Sequence, residues 1–288
     1  MAVESTLCIH HNDADGHASA AVVRRALGPE VVFYEMNYGD PIPWETISSV
    51  DRVVIVDFSL PQGDMQRIAQ ESNFIWIDHH ISAIEELSGI SEGWAGIRDT
   101  REAACVLTWR YFFPNQPVPR TIVLIGDRDA WHWREAETGA FDEGLHQQDT
   151  HPQNDALWKP LLDGDSQFVS QLIARGEILR EARLQDIQRQ VDNYGFAVDF
   201  EGCRALAINT RGNGDIGSYI QKLGYQLAYC YVDNCQNGNL MTFVGLYSSV
   251  VDVSEIARKF GGGGHRGASG FSFERSCSPF PEKASVRM

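Results

Sequence analysis

Four times in the first 130 positions, an apolar run breaks off into a cluster of histidine and aspartate. His11-Asn12-Asp13-Ala14-Asp15-Gly16 follows Thr6 to His10, Asp57-Phe58-Ser59 closes Arg52 to Asp57, and Asp78-His79-His80 closes Phe74 to Asp78. Gly126-Asp127-Arg128-Asp129-Ala130-Trp131 follows the run from Thr121 to Ile125. Thr6 to His10, Val31 to Tyr34, Arg52 to Asp57 and Phe74 to Asp78 are short, rich in Val, Ile and Phe, and bounded by Gly, Pro or Asp, so they read as buried strands. Between them Gly16 to Leu27 is Ala-rich and helical, and Ser59 followed by Pro61 reads as the N-cap and first-turn proline of a second helix. Short buried strands alternating with helices predict an α/β fold whose mostly parallel sheet is flanked by helices. Such sheets place their active sites just past the carboxyl ends of the strands, where these polar clusters stand.

This architecture is expected over residues 1–165 as a catalytic, metal-binding domain. From Ser166 to Asn193 there is no proline, and Phe168, Leu172, Leu179, Ile187, Val191 and Tyr194 recur at three- to four-residue multiples. That pattern predicts one long connecting helix over 166–194. Beyond it Phe196 to Phe200, Arg204 to Asn209, Gln226 to Val232, Leu240 to Tyr247 and Gly270 to Phe273 read as strands, with helices near Ile216 to Leu223 and Val253 to Phe260. A second, smaller α/β domain over 195–275 and a loose tail over 276–288 follow.

The longest apolar runs are about a third of the roughly 20 residues a membrane-spanning helix needs, so a soluble, cytoplasmic protein with no membrane partner is expected. Cys8, Cys105, Cys203, Cys230, Cys235 and Cys277 are scattered with no Cys-x-x-Cys, which reads as reduced thiols.

The net charge is −15, and its distribution is uneven: positions 1–194 hold 15 basic against 31 acidic residues, positions 195–275 hold 7 against 7. Coating a long duplex nucleic acid through its phosphates needs the opposite balance. An acidic site filled with divalent cations can still take a small phosphorylated ligand. An aspartate after a strand is by itself more often a helix cap or a turn residue. Four clusters in order, each ending an apolar run, point instead to a shared site, because buried carboxylates without partners cost several kcal/mol each. Carboxylates mixed with imidazoles and no thiolate favour Mn²⁺, with Mg²⁺, Co²⁺ or Fe²⁺ as alternatives, over structural zinc.

A fifth feature is Phe260-Gly261-Gly262-Gly263-Gly264-His265-Arg266-Gly267-Ala268-Ser269-Gly270. Successive glycines let backbone N–H groups approach an anion, and His265 and Arg266 add charged donors, so the segment reads as a phosphate-binding loop rather than a linker.

With these five motifs in this order the chain resembles the DHH phosphoesterases, named for the triplet that stands here as Asp78-His79-His80, together with their DHH-associated C-terminal domain and its glycine-rich segment. The resemblance spans roughly residues 5–274. It implies two metal ions, usually Mn²⁺, in a site at the interdomain cleft. It places His11 and Asp13 on the first ion, Asp15 on the second, Asp57 between both, and His79 and Asp127 on the second. Asp129 is an alternative to Asp127 in the same cluster, and His10 stands beside His11. The resemblance further implies that His80 faces the substrate phosphate, that Asp78 orients the pair of histidines, and that Gly262, Gly263, Gly264, His265 and Arg266 hold the distal phosphate or nucleotide. Relatives include RecJ-type exonucleases, nanoRNases, phosphatases of 3′-phosphoadenosine 5′-phosphate and cyclic-dinucleotide hydrolases. The charge balance favours a dinucleotide or short oligonucleotide cleaved to mononucleotides. The alternatives are a phosphomonoesterase acting on a small nucleotide, a cyclic-dinucleotide hydrolase and a catalytically silent nucleotide sensor. Homodimerisation is an expectation of the resemblance alone. Arg98, Arg101 and Arg128 are candidate additional phosphate contacts, and Trp109, Trp131 and Trp133 candidate base-stacking residues.

Overall fold

The computed structural model describes residues 4–130, 132–236 and 239–275; Trp131, Cys277 and the tail 276–288 lie outside the described residues. The chain divides into two compact units, Met1–Arg180 and Glu181–Met288.

The first unit is built on four parallel strands, β1 (Thr6–His11), β2 (Val32–Met36), β3 (Arg52–Val56) and β4 (Asn73–Ile77), in the order β2-β1-β3-β4. Interleaved with them are α1 (Ala14–Leu27), α2 (Trp44–Ile47) and α3 (Gln62–Glu71). Leu7, Ile9, Val53, Ile55 and Trp76 enter one hydrophobic cluster with Met65 and Ile68 of α3, while Cys8, Val54, Val56, Ile75 and Ile77 enter another with Ala20 and Val23 of α1. Alternate residues of one strand therefore feed opposite layers, as the period of two requires. Pro61, rather than Ser59, occupies the N-cap of α3 and leaves it without a side-chain cap. After β4 the unit is helical: α4 (Ile81–Leu87), α5 (Ala104–Phe112), α6 (Arg120–Asp129), α7 (Thr138–Leu145) and α8 (Asp155–Leu162). The apolar run Thr121 to Ile125 thus belongs to a helix, unlike the three runs that precede the other clusters.

The helix α9 (Ser166–Tyr194) places Val169, Leu172 and Ile173 in a core of the first unit and Ile187 and Val191 in a core of the second. The second unit carries β5 (Phe196–Phe200), β6 (Cys203–Asn209), α10 (Gly214–Lys222), β7 (Leu227–Gln236), β8 (Asn239–Tyr247), α11 (Val253–Lys259), β9 (Gly263–His265) and β10 (Ala268–Glu274). Its six strands lie in the order β5-β6-β7-β8-β10-β9, with only β6 and β7 parallel. The fold is therefore the expected α/β class, with a parallel sheet in one unit and a mixed sheet in the other. Among the described residues no helix is long and apolar enough to cross a membrane, and Cys8, Cys105, Cys203, Cys230 and Cys235 are free.

Candidate metal centre

The carboxyl ends of β1, β3 and β4 bring His11, Asp57 and Asp78 side by side, because the three strands pair in parallel with Ile9 opposite Ile55 and Val56 opposite Ile77. Asp13 caps α1 by accepting from the Gly16 N–H at 2.8 Å, and its other oxygen lies 2.6 Å from His11 Nδ1. Burial pushes the Asp13 carboxyl up, but these two hydrogen bonds outweigh it and bring its pKa to about 2. Gly16 is required at this turn, since a Cβ there would stand 2.3 Å from the His11 carbonyl oxygen. His10 points to the opposite layer: its Nδ1 donates to the His11 carbonyl at 3.0 Å and its ring packs against His17 and Phe33. The strand's alternation settles which of the two adjacent histidines enters the cluster.

Asp57 sits at the centre. It is 1% exposed, and neither carboxylate oxygen has a hydrogen-bond partner. One oxygen lies 4.0 Å from His11 Nδ1; the other lies 3.3 Å from His79 Nε2 and 3.9 Å from His80 Nδ1. Burial and the neighbouring Asp15, Asp13, Asp129 and Asp78 hold its carboxyl far above the ordinary carboxylate range. Its backbone takes φ +53°, a left-handed conformation that costs a non-glycine residue on the order of 1–3 kcal/mol. Two hydrogen bonds hold it there: Asp57 N–H donates to the Ile77 carbonyl at 3.0 Å, and Trp76 Nε1 to the Phe58 carbonyl at 3.0 Å.

Asp15 is buried and accepts from the N–H groups of Ala104 and Cys105, both at 2.8 Å. It thereby closes the start of α5, whose N-cap Ala103 has no side chain to do so. Asp78 is fully buried and accepts from the His79 and His80 backbone N–H groups at 2.7 and 3.2 Å and from His80 Nδ1 at 2.8 Å. That hydrogen bond, ahead of the opposing effect of burial, raises the His80 pKa and fixes its proton on Nδ1.

The fourth cluster divides between two aspartates. Asp127 is buried and accepts from the N–H groups of Arg134 at 2.8 Å and Glu135 at 3.1 Å and from the Thr138 hydroxyl at 2.5 Å. Burial opposes ionisation there, yet these donors hold its carboxyl below the usual range. Among the described residues it enters none of the metal-sized groupings of ligand atoms. Asp129, the alternative in the same cluster, is the one that joins Asp15 and His79: its Oδ2 is buried without a hydrogen-bond partner and lies 3.3 Å from His79 Nε2. Burial, then Asp15 and Asp13, push its pKa up to about 8.

Three overlapping groups of side chains bring ligand atoms within 4.8 Å of one another: His11, Asp13 and Asp57; Asp15, His79 and Asp129; Asp57, His79 and His80. Asp57 and His79 each belong to two groups. Hard oxygen and imidazole donors around buried, unpartnered carboxylate oxygens fit divalent cations such as Mn²⁺ or Mg²⁺.

The other expected contacts lie elsewhere. Arg98 donates to the carbonyls of Ser91, Trp94, Ala95 and Trp76, Arg101 pairs with Asp99 at 2.6 Å, and Arg128 with Asp142 at 3.3 Å. Trp109 is a core residue, and Trp133 lies under the Arg128 guanidinium. In the second unit the glycine run is a strand rather than an open loop: Gly263, Gly264 and His265 pair with Gly270, Ser269 and Ala268. A Cβ on Gly262 would stand 2.0 Å from the Gly270 carbonyl oxygen, so this glycine serves the close packing of the hairpin. His265 and Arg266 are exposed at its tip.

No family model matches the chain. It is 28% identical over 240 residues to an uncharacterised protein of Acanthamoeba polyphaga mimivirus, covering 79% of this chain and 55% of that protein, so the chain spans about half the length of this curated relative. Among solved structures it is similar to the DHH domain of a protein described as a member of a family of ribosomal proteins, with TM-score 0.60 and 14% identity over 94% of this chain and 82% of the other. It is also similar to the pGpG-specific phosphodiesterase PggH of Vibrio cholerae, with TM-score 0.52 and 14% identity over 96% of this chain and 94% of the other. The chain has the fold of the DHH-domain proteins.

Proposed function

We propose that this protein is a metal-dependent phosphodiesterase that hydrolyses dinucleotides or short oligonucleotides to mononucleotides. The observation that carries the reading is the Asp57 carboxylate, buried with both oxygens unpartnered and one turned toward each group of ligands. Two divalent cations, with Mn²⁺ the preferred species, would be held by His11, Asp13 and Asp57 on one side and by Asp15, Asp57, His79 and Asp129 on the other. When bound, such ions polarise phosphoryl oxygens and make water nucleophilic at neutral pH.

The chain's own side chains supply the rest. His80 keeps its Nδ1 proton on Asp78 and leaves Nε2 for a phosphoryl oxygen, and its raised pKa favours the charged form that stabilises negative charge developing there. The part of Asp78 is orientation, since three hydrogen bonds to it come from the two histidines it precedes. His265 and Arg266 would bind the distal phosphate or nucleotide, Arg266 as a bidentate donor. A small substrate is favoured by the acidic balance of positions 1–194 and the neutral balance of 195–275, and pGpG, on which the Vibrio cholerae neighbour acts, is of this class.

The test is Mn²⁺-dependent hydrolysis of a dinucleotide, longer oligonucleotides, linear and cyclic diguanylate and 3′-phosphoadenosine 5′-phosphate, with products separated by chromatography. Mononucleotides released fastest from the shortest oligomers are the expected result. Inorganic phosphate from the monoester with the oligomers intact overturns the diesterase reading in favour of a phosphomonoesterase.

A further inference from the structure

We infer that Tyr38 is the base-stacking residue of this site, receiving a nucleobase of the ligand whose phosphate lies at the metal centre. This inference rests on the proposed function and adds to it a recognition element for the base. Tyr38 follows β2 in a short turn closed by Asp40 N–H donating to the Asn37 carbonyl at 3.1 Å and by Asn37 N–H donating to Asp40 Oδ2 at 2.7 Å, with Gly39 at φ +97°. The turn returns the tyrosine over the carboxyl end of the sheet. Its ring lies 4.7 Å from the ring of Phe58 and 6.0 Å from that of His11, and the Phe58 and His11 rings stack at 5.9 Å with 17° between their planes. Phe58 is 1% exposed, whereas Tyr38, packed against it, is 60% exposed.

An exposed aromatic ring that packs on a buried phenylalanine and beside His11 of the candidate metal centre is a platform on which a flat group can stack. A ligand that places a phosphate among His11, Asp57 and His80 and carries a flat, apolar-faced group within one sugar's reach would lay that group on Tyr38. A nucleobase meets this description, and stacking on an aromatic side chain is tolerant of base identity. The bland alternative is that Tyr38 only shields Phe58 and His11 from water; it would then serve every ligand equally, with or without a base.

The experiment measures equilibrium binding to the full chain of a hydrolysis-resistant phosphorothioate diadenosine and of its abasic counterpart, with wild type, Tyr38→Ala, Tyr38→Phe and Tyr38→Trp, each checked by thermal melting. Tyr38→Ala is expected to weaken the dinucleotide about tenfold and leave the abasic compound unchanged, while Tyr38→Phe and Tyr38→Trp stay within about threefold of wild type. Equal weakening of both compounds by Tyr38→Ala, or of neither, overturns the inference, as does a wild type that binds the two compounds equally. A Tyr38→Ala chain that melts early hands the decision to Tyr38→Trp, whose loss of dinucleotide binding would equally overturn it. Wild type that binds neither compound removes the proposed function along with the inference.

Discussion

The strand-end cluster of the first unit and the glycine hairpin of the second satisfy their polar groups in opposite ways. In the cluster Asp57 keeps both oxygens unpartnered and Asp129 one, all of them buried, against neighbouring carboxylates. In the hairpin the strands pair, the Ser269 hydroxyl donates to the His265 carbonyl at 2.6 Å, and the Val253 N–H donates to the Arg266 carbonyl at 2.9 Å, while the His265 and Arg266 side chains lie exposed. The cluster leaves buried oxygens that cations could satisfy; the hairpin is complete as it stands and only offers side chains. A site of the first kind would cost the fold stability, and one of the second kind would be nearly neutral to it.

The largest effect is expected at Asp57. Asp57→Asn should abolish turnover and, in the metal-free state at neutral pH, raise the melting temperature, because it removes a buried carboxyl that folding holds far above its ordinary range while asparagine tolerates the left-handed backbone. Full turnover in this variant would break the two-cation reading. Next, the two aspartates of α6 should part ways. Asp129→Asn should lower activity by at least the roughly 10- to 100-fold known for groups around metal ligands, with the fold intact. Asp127→Asn should destabilise the protein by roughly 1–3 kcal/mol through its three donors, with activity lost only as far as the fold is. The reverse pattern, read from melting curves and kcat side by side, would favour Asp127 over Asp129 as the ligand.

Metal removal carries a definite sign. The unfolded carboxyls ionise near pH 4, whereas Asp129 in the fold holds its proton to about pH 8 and Asp57 is also raised. Over that window the folded chain binds more protons than the unfolded one, so the chelated protein should lose stability as the pH rises from about 4 to about 8. Added Mn²⁺ should raise the melting temperature more at pH 8 than at pH 5, since cations and protons compete for the same oxygens. An equal rise at both values would place the cation elsewhere. The smallest effect is expected at the hairpin: Arg266→Ala should raise KM roughly tenfold, in line with a lost hydrogen bond to a charged group, and leave both kcat and the melting curve unchanged. An unchanged KM would remove the hairpin from the substrate's path.

Much of this was legible because parallel strands of period two deliver their last residues to one edge, so that His11, Asp57 and the Asp78-His79-His80 triplet could be read as neighbours from their positions after apolar runs. The choice between Asp127 and Asp129 was not legible in that way. Their run is helical, and residues two apart on a helix point about 200° from each other: one faces the N–H groups of Arg134 and Glu135, the other faces His79. The hairpin form of the glycine run was not legible for a related reason. Composition alone shows that a backbone can be approached closely, and at Gly262 the approaching group is the Gly270 carbonyl of the same hairpin. Tyr38 left no sequence signal at all, since what brings it to His11 is the return of a turn that carries neither periodicity nor a motif.

The strained backbone of Asp57 has a consequence for how such a protein changes over generations. The residue on which the proposed chemistry most depends is also one whose replacement by glycine is expected to relieve both a left-handed backbone and a carboxyl buried among other carboxyls. A descendant released from the need for that chemistry would therefore have a downhill route to silence: a single substitution at position 57 would strengthen the fold in the same step that removed the proposed reaction, with only selection for that reaction standing against it.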